Sequence, residues 1–155
     1  MVLKVSAAGQ SATTTAQRWA LVYGYAGGPW TNNVEVSHLD LSLLDSTAVL
    51  ELVFGRVAIQ SDPGQGGYSS YFDAVGNNLT GGQNSGFHST SNPFFEVLGQ
   101  YYIQGGEALQ LDFPTPIEAF KITQDYAFAY QVRLVGATSG TADGTYFLNV
   151  WFSEA

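Results

Sequence analysis

An all-β antiparallel sandwich of about nine strands, of the jelly-roll or Greek-key kind, is predicted by three features of the sequence. Apolar residues alternate with polar ones in short runs. Gly, Pro, Asn and Asp signals separate those runs at near-regular spacing, and no segment keeps a helical period over three turns. The 155 residues suit one domain. At that length roughly 70% of the unfolded surface can be buried, so a core forms without disulfide or metal staples.

Residues 1–17 read as a polar N-terminal arm, because Ser11–Ala16 is a low-complexity stretch with no face to bury. The sandwich domain is expected over residues 18–155. Trp19, Leu21, Tyr23 and Tyr25 alternate until Gly27-Gly28-Pro29. Val34 and Val36 alternate on even positions, then Leu39, Leu41 and Leu43 on odd ones, a phase change that predicts a β-bulge at Ser37-His38. Asp45-Ser46 reads as a turn or the N-cap of a short helix over Thr47–Phe54. A strand is preferred, because Val49, Val53, Val57 and Ile59 alternate.

Asp62–Gly67 is a turn, and Tyr68 to Val75 a strand. Gly76 to Pro93 lacks any periodicity and reads as a long loop. Phe95, Val97, Tyr101 and Ile103 are expected on one face of the next strand, and Gly105-Gly106 to turn the chain. Leu109, Leu111 and Phe113 alternate, with Pro114-Thr115-Pro116 ending that strand and a short mixed segment over Ile117–Ile122. The clearest strands come last. Tyr126, Phe128, Tyr130, Val132 and Leu134 form one apolar face, and after a turn through Ala137–Gly144, Tyr146, Leu148, Val150 and Phe152 form another.

Composition excludes several functions. Net charge is −8, and the five basic residues (Lys4, Arg18, Arg56, Lys121, Arg133) are scattered. Nucleic acid and anionic membrane need clustered cations, so neither is a partner. The chain has no Cys, hence no disulfide or thiol chemistry, and no run long enough to insert in a membrane. Met1 to Gln17 lacks the apolar core of a signal peptide.

No catalytic residue, metal site or cofactor is assigned, and the chain reads as non-enzymatic. His38 and His88 are the two histidines, fifty positions apart, without the close spacing of zinc ligands. His38, at the expected bulge, reads as a structural or surface histidine. His88 beside Ser89 and Ser91 lacks an orienting acid and an oxyanion hole. Thirteen carboxylates are spread one or two per strand, and no acid–base pair stands out; Glu35, Asp40 and Glu51 read as solvent-facing. A Ca²⁺ ion held by turn carboxylates stays open. The glycines punctuate strands and do not precede a helix, as phosphate binding would require. Asn78-Leu79-Thr80 matches a glycosylation acceptor, by coincidence in a chain without a secretory signal.

Two features point to recognition. The Gly76–Pro93 segment, with Phe87 and His88, is rich in the Asn, Gly and Ser of adaptable binding loops. Aromatic residues are 14% of the chain against 12% charged, more rings than one core uses. Trp30, Tyr101, Tyr102 and Trp151 are therefore the remaining candidate contacts. Tyr101 and Tyr102 are adjacent in a strand and must point oppositely, so one faces solvent or a partner.

Three segments carry a family likeness: Arg18-Trp19-Ala20-Leu21, the run from Gly105-Gly106-Glu107-Ala108 through Leu109-Gln110-Leu111-Asp112-Phe113 to Pro114-Thr115-Pro116, and the closing Tyr146-Phe147-Leu148-Asn149-Val150-Trp151-Phe152. On these, over Arg18 to Phe152, the chain resembles the single jelly-roll structural proteins of bacteriophage virions, of the minor capsid or decoration type. The resemblance implies a non-enzymatic capsid or head-decoration subunit in the virion, assembled in the host cytoplasm as a homo-oligomer. Its partners would be copies of itself and other virion proteins. The scarcity of cations departs from genome-facing coat proteins and favours an outer position. A carbohydrate-binding or receptor-recognition module is the alternative, with a glycan as ligand.

Overall fold

In the computed structural model, residues 2–23, 34–45, 47–58, 68–79, 83–121, 126–135 and 144–154 are described. The expected turns at Gly27–Pro29 and Asp62–Gly67, most of the turn at Ala137–Gly144, and Trp30 lie outside them. Among the described residues the structure is all strand: β1 Val2–Ser11, β2 Gln17–Tyr23, β3 Val34–Leu43, β4 Val49–Ala58, β5 Tyr68–Leu79, β6 Gln83–Thr90, β7 Phe94–Gln104, β8 Ala108–Lys121, β9 Tyr126–Val135 and β10 Thr145–Glu154.

Eight of these strands make two antiparallel four-stranded sheets. One runs β1-β10-β3-β8 and the other β7-β4-β9-β2. Strands successive in sequence alternate between the layers from β1 through β4 and again from β7 through β10, which is the double Greek key of a jelly roll. The β5–β6 hairpin, inserted after β4, extends the second sheet beyond β2. The two sheets touch at one corner, where Phe120 and Lys121 of β8 pair with Ala127 and Tyr126 of β9.

The core lies between the layers and follows strand parity. Val36, Leu39, Leu41, Leu148, Val150 and Tyr146 come from one sheet, and Leu50, Leu52, Phe54, Phe128, Tyr130 and Val132 from the other; all are buried. The phase change in β3 is a bulge: Trp151 pairs with His38 and Phe152 with Val36, leaving Ser37 extra. That extra residue keeps both Val36 and Leu39 in the core.

Several elements differ from expectation. The stretch read as a polar arm contains β1, which pairs with β10 from Val2↔Ser153 to Ser11↔Thr145. An edge strand needs a neighbour's hydrogen bonds more than an apolar face of its own, and β10 supplies them. Beyond it, Ala12 is buried in the core and its N–H donates to Gly144 O at 2.9 Å. The Gly76–Pro93 stretch is not a long loop: Gly76–Leu79 end β5, and Gln83–Thr90 form β6 between β5 and β2. Pro114 and Pro116 do not end β8. They interrupt its ladder with β3, which jumps from His38↔Asp112 to Val36↔Ile117, as residues without N–H donors must. In β4 the buried apolar side chains are Leu50, Leu52, Phe54 and Val57, so of the expected alternation Val57 is buried whereas Val49 and Val53 are half-buried.

The turns obey local chemistry. Asp45 Oδ1 accepts from Thr47 N–H at 2.9 Å and from Thr47 Oγ1 at 2.7 Å, closing a turn rather than capping a helix. Gly106 has φ +85°, where a side chain is strained, and Glu107 N–H donates to Gln104 O at 3.0 Å across the β7–β8 turn.

Candidate functional site

The strand β7 forms one edge of the second sheet, and its alternation is broken twice. Against β4 the register skips Phe95 and Leu98, so each is an extra residue in a bulge. Bulged residues escape the pleat, which explains why the single apolar face expected over Phe95–Ile103 is not found. Ile103 is buried, but Phe95, Val97, Leu98, Tyr101 and Tyr102 are exposed. Among the side chains described, Leu44 is the other large apolar one that is exposed. It sits near the end of β7, where Gly106 N–H donates to Leu43 O.

Tyr101 and Tyr102 point to opposite faces. Tyr101, opposite Leu52, stacks on the core residue Phe54 with ring centroids 6.0 Å apart and planes 3° from parallel. Tyr102, opposite Glu51, lies on the outer face, 57% exposed. Its hydroxyl donates to Glu51 Oε2 at 2.8 Å, and Gln100 Nε2 donates to the same oxygen at 3.2 Å. From the other side Arg133 of β9 donates through Nε to Oε1 at 3.3 Å and through Nη2 to Oε2 at 3.2 Å. Four donors thus converge on one carboxylate across β7, β4 and β9. The expected solvent-facing Glu51 is instead only 6% exposed, because these side chains cover it. The Arg133 hydrogen bonds outweigh burial and, with Tyr102 and Gln100, hold its carboxyl below the usual range. The same carboxylate raises the Tyr102 phenol and the Arg133 guanidinium.

The next row across this face runs Gln100, Val53, Gln131, Arg18. Arg18 donates to Gln131 Oε1 at 2.6 Å and to Asn92 O at 2.5 Å, and lies 4.7 Å over the Phe94 ring. Burial lowers its pKa. Arg56 and Glu96 form an ion pair at the start of β7.

The outer face of the other sheet carries a second constellation that the sequence did not disclose. Trp151, His38 and Asp112 form a row across β10, β3 and β8. His38 Nδ1 lies 2.5 Å from Asp112 Oδ1, and Nε2 lies 2.6 Å from Asp40 Oδ1. Trp151 meets the imidazole edge-on, with centroids 4.8 Å apart and planes at 72°. Partial burial pushes the imidazole pKa down, but the bonds to Asp112 and Asp40 and their charges overcome it, and the pKa is raised. With both ring nitrogens facing carboxylates, neither accepts a proton from a nucleophile, so this is a clamp and not a general base.

The six candidate contacts therefore separate. Tyr101 and Tyr102 share β7 with the exposed apolar strip, and Trp151 is half-buried against His38 on the opposite sheet. Phe87 and His88 are in β6, opposite Leu21 and Ala20 of β2. Trp30 is outside the described residues. Besides the His38 constellation, the residues missed were Glu51 and Arg133; being opposite each other in β4 and β9 joins them, which no local spacing announces.

By structure the chain is similar to a chain in the structure of Desmodium yellow mottle tymovirus, at 11% identity and a TM-score of 0.40, covering 99% of this chain and 85% of that one. It is similar also to a chain in the structure of Cocksfoot mottle virus, at 12% identity and a TM-score of 0.37, covering 97% of this chain and 91% of that one. No family model and no curated protein matches the chain. The jelly-roll assignment stands on the strand pairings above.

Proposed function

We propose that the chain is a non-enzymatic structural subunit of a virion, a capsid or head-decoration protein that acts by packing against copies of itself and other virion proteins. One observation carries this reading. Of the six large apolar side chains exposed among the side chains described, five lie on the edge strand β7. Scattered exposed apolar residues need no explanation, but a concentration of them on one edge marks a contact surface. The polar groups beside the strip are already paired with one another, so covering it strands few of them. The scarcity of cations favours an outer position, away from the genome.

Co-sedimentation of the purified full chain with phage heads, and electron microscopy of the concentrated protein, test this reading. Pelleting with heads, or formation of shells, is expected. A protein that does neither at high concentration overturns it.

A glycan- or receptor-binding module is the second reading, and Tyr102 favours it. Its exposed ring lies beside Gln100, Glu51 and Arg133, an arrangement of stacking surface and polar groups that suits a sugar. Glycan-array binding that is lost in Tyr102→Ala supports it, and an array without hits removes it.

A further inference from the structure

The geometry points to a two-fold pairing in which β7 of one copy adds antiparallel to β7 of a second, extending the β7-β4-β9-β2 sheet across a dimer. This deepens the assembly reading and rests on it. Among the described residues β7 pairs with β4 alone, and no described strand lies against its other side. Gly105 N–H donates to Ala48 O at 2.9 Å, and antiparallel alternation from that pair turns the backbone groups of Gln104, Tyr102 and Gln100 away from β4, the Gln104 carbonyl also accepting from Glu107 N–H in the turn. The bulges at Phe95 and Leu98 bend the first half of the strand. From Gly99 to Gln104 the register with β4 is unbroken, leaving a regular six-residue run for a partner.

Charge selects the occupant. Two copies of a chain with net charge −8 repel, except where their meeting surfaces carry no net charge. Residues 97–106 contain no charged side chain. Of the flanking acids, Glu96 is matched by Arg56 and Glu51 by Arg133, and Glu107 follows the turn at the far end of the run. By contrast β8, at the edge of the other sheet, carries charged side chains within the strand itself, Asp112 and Glu118, although Asp112 is bonded to His38. An antiparallel edge is also its own complement about a two-fold axis, because residue i meets j as j meets i. The outward groups put Tyr102 opposite Tyr102 and Gln100 opposite Gln104.

Gln100→Pro and Gln104→Pro test the pairing, since each removes an outward N–H that the β4 ladder does not use. At high concentration the natural chain is expected at twice the chain mass by light scattering, and each proline variant, folded by circular dichroism, at one. The absence of cysteine allows a second test. Gln100→Cys mixed with Gln104→Cys should give a disulfide-linked dimer on oxidation, well above either variant alone, because directly opposed residues are within disulfide reach. A natural chain that is monomeric at every concentration overturns the pairing, as does a folded proline variant that still dimerises or a mixture without cross-linking. A monomer that nevertheless pellets with phage heads overturns the β7 pairing alone. A β7 dimer that joins no particle overturns the virion reading alone.

Discussion

The hydroxyls of Tyr130 and Tyr146 meet 3.0 Å apart in the middle of the core, one from each sheet. Both side chains are fully buried, and their rings cross at 79° with centroids 6.3 Å apart. Apolar packing holds the layers together, but this bond fixes how β9 sits over β10, because each hydroxyl would lose water without a partner.

Tyr146→Phe therefore removes less than it exposes. Leaving the buried Tyr130 hydroxyl without this partner is expected to cost about 1–3 kcal/mol in denaturant unfolding. Adding Tyr130→Phe should restore part of that loss, so the double variant is more stable than the sum of the single ones.

The same pair sets an alkaline limit. Burial pushes the Tyr146 phenol up to about 12, and burial raises Tyr130 well above its usual value. An unfolded tyrosine ionises near 10, so the unfolded chain releases these protons first. Stability is complete below pH 10 and falls as pH rises towards 12. Melting temperatures between pH 9 and 12 should show that fall, and it should be smaller in the double phenylalanine variant.

At the acid end Glu51 has the opposite sign. Its folded pKa is lowered, so it contributes stability above the carboxylate range that is lost as pH falls through it. Glu51→Gln should flatten the acid limb of the stability profile. His38 behaves oppositely: its raised pKa gives stability that is present below about 6.5 and lost as pH rises through the folded value. A histidine titration by NMR should place His38 above the ordinary value, and Asp112→Asn should lower it.

Gly55 lies where β4 passes β7, and a Cβ there would stand 2.0 Å from Glu96 O. Backbone cannot yield as a side-chain tip does, so Gly55→Ala should cost about 3 kcal/mol or more, through separation of β7 from β4. Gly106→Ala meets no atom within 4 Å, and its cost should be only the smaller strain of φ +85°.

The sequence disclosed those parts of the fold in which one strand buries one face. From Phe128 to Leu134 in β9 and from Tyr146 to Val150 in β10 every second side chain enters the core, and even the bulge at Ser37 was legible because it shifted the leucines of β3 by one. Elements made by their neighbours stayed hidden. β1 and β6 are short of alternating apolar residues, and hydrogen bonds from β10, β2 and β5 make them strands. In β7 the two bulges moved Phe95 and Leu98 out of phase, so a run read as one core face is largely surface. Of the candidate contacts, the opposed orientation of Tyr101 and Tyr102 followed from parity alone. The carboxylate beneath Tyr102 did not, because Glu51 and Arg133 are 82 residues apart in sequence.

Amide hydrogen exchange on β7, followed against protein concentration, tests the central claim that this edge is built to be covered by another chain. The outward amides of Gln100, Tyr102 and Gln104 should exchange quickly in dilute solution and become protected as concentration rises, while those of Tyr101 and Ile103 stay protected throughout. If the three outward amides exchange as open backbone at every concentration, β7 is an ordinary solvent edge and the claim is wrong.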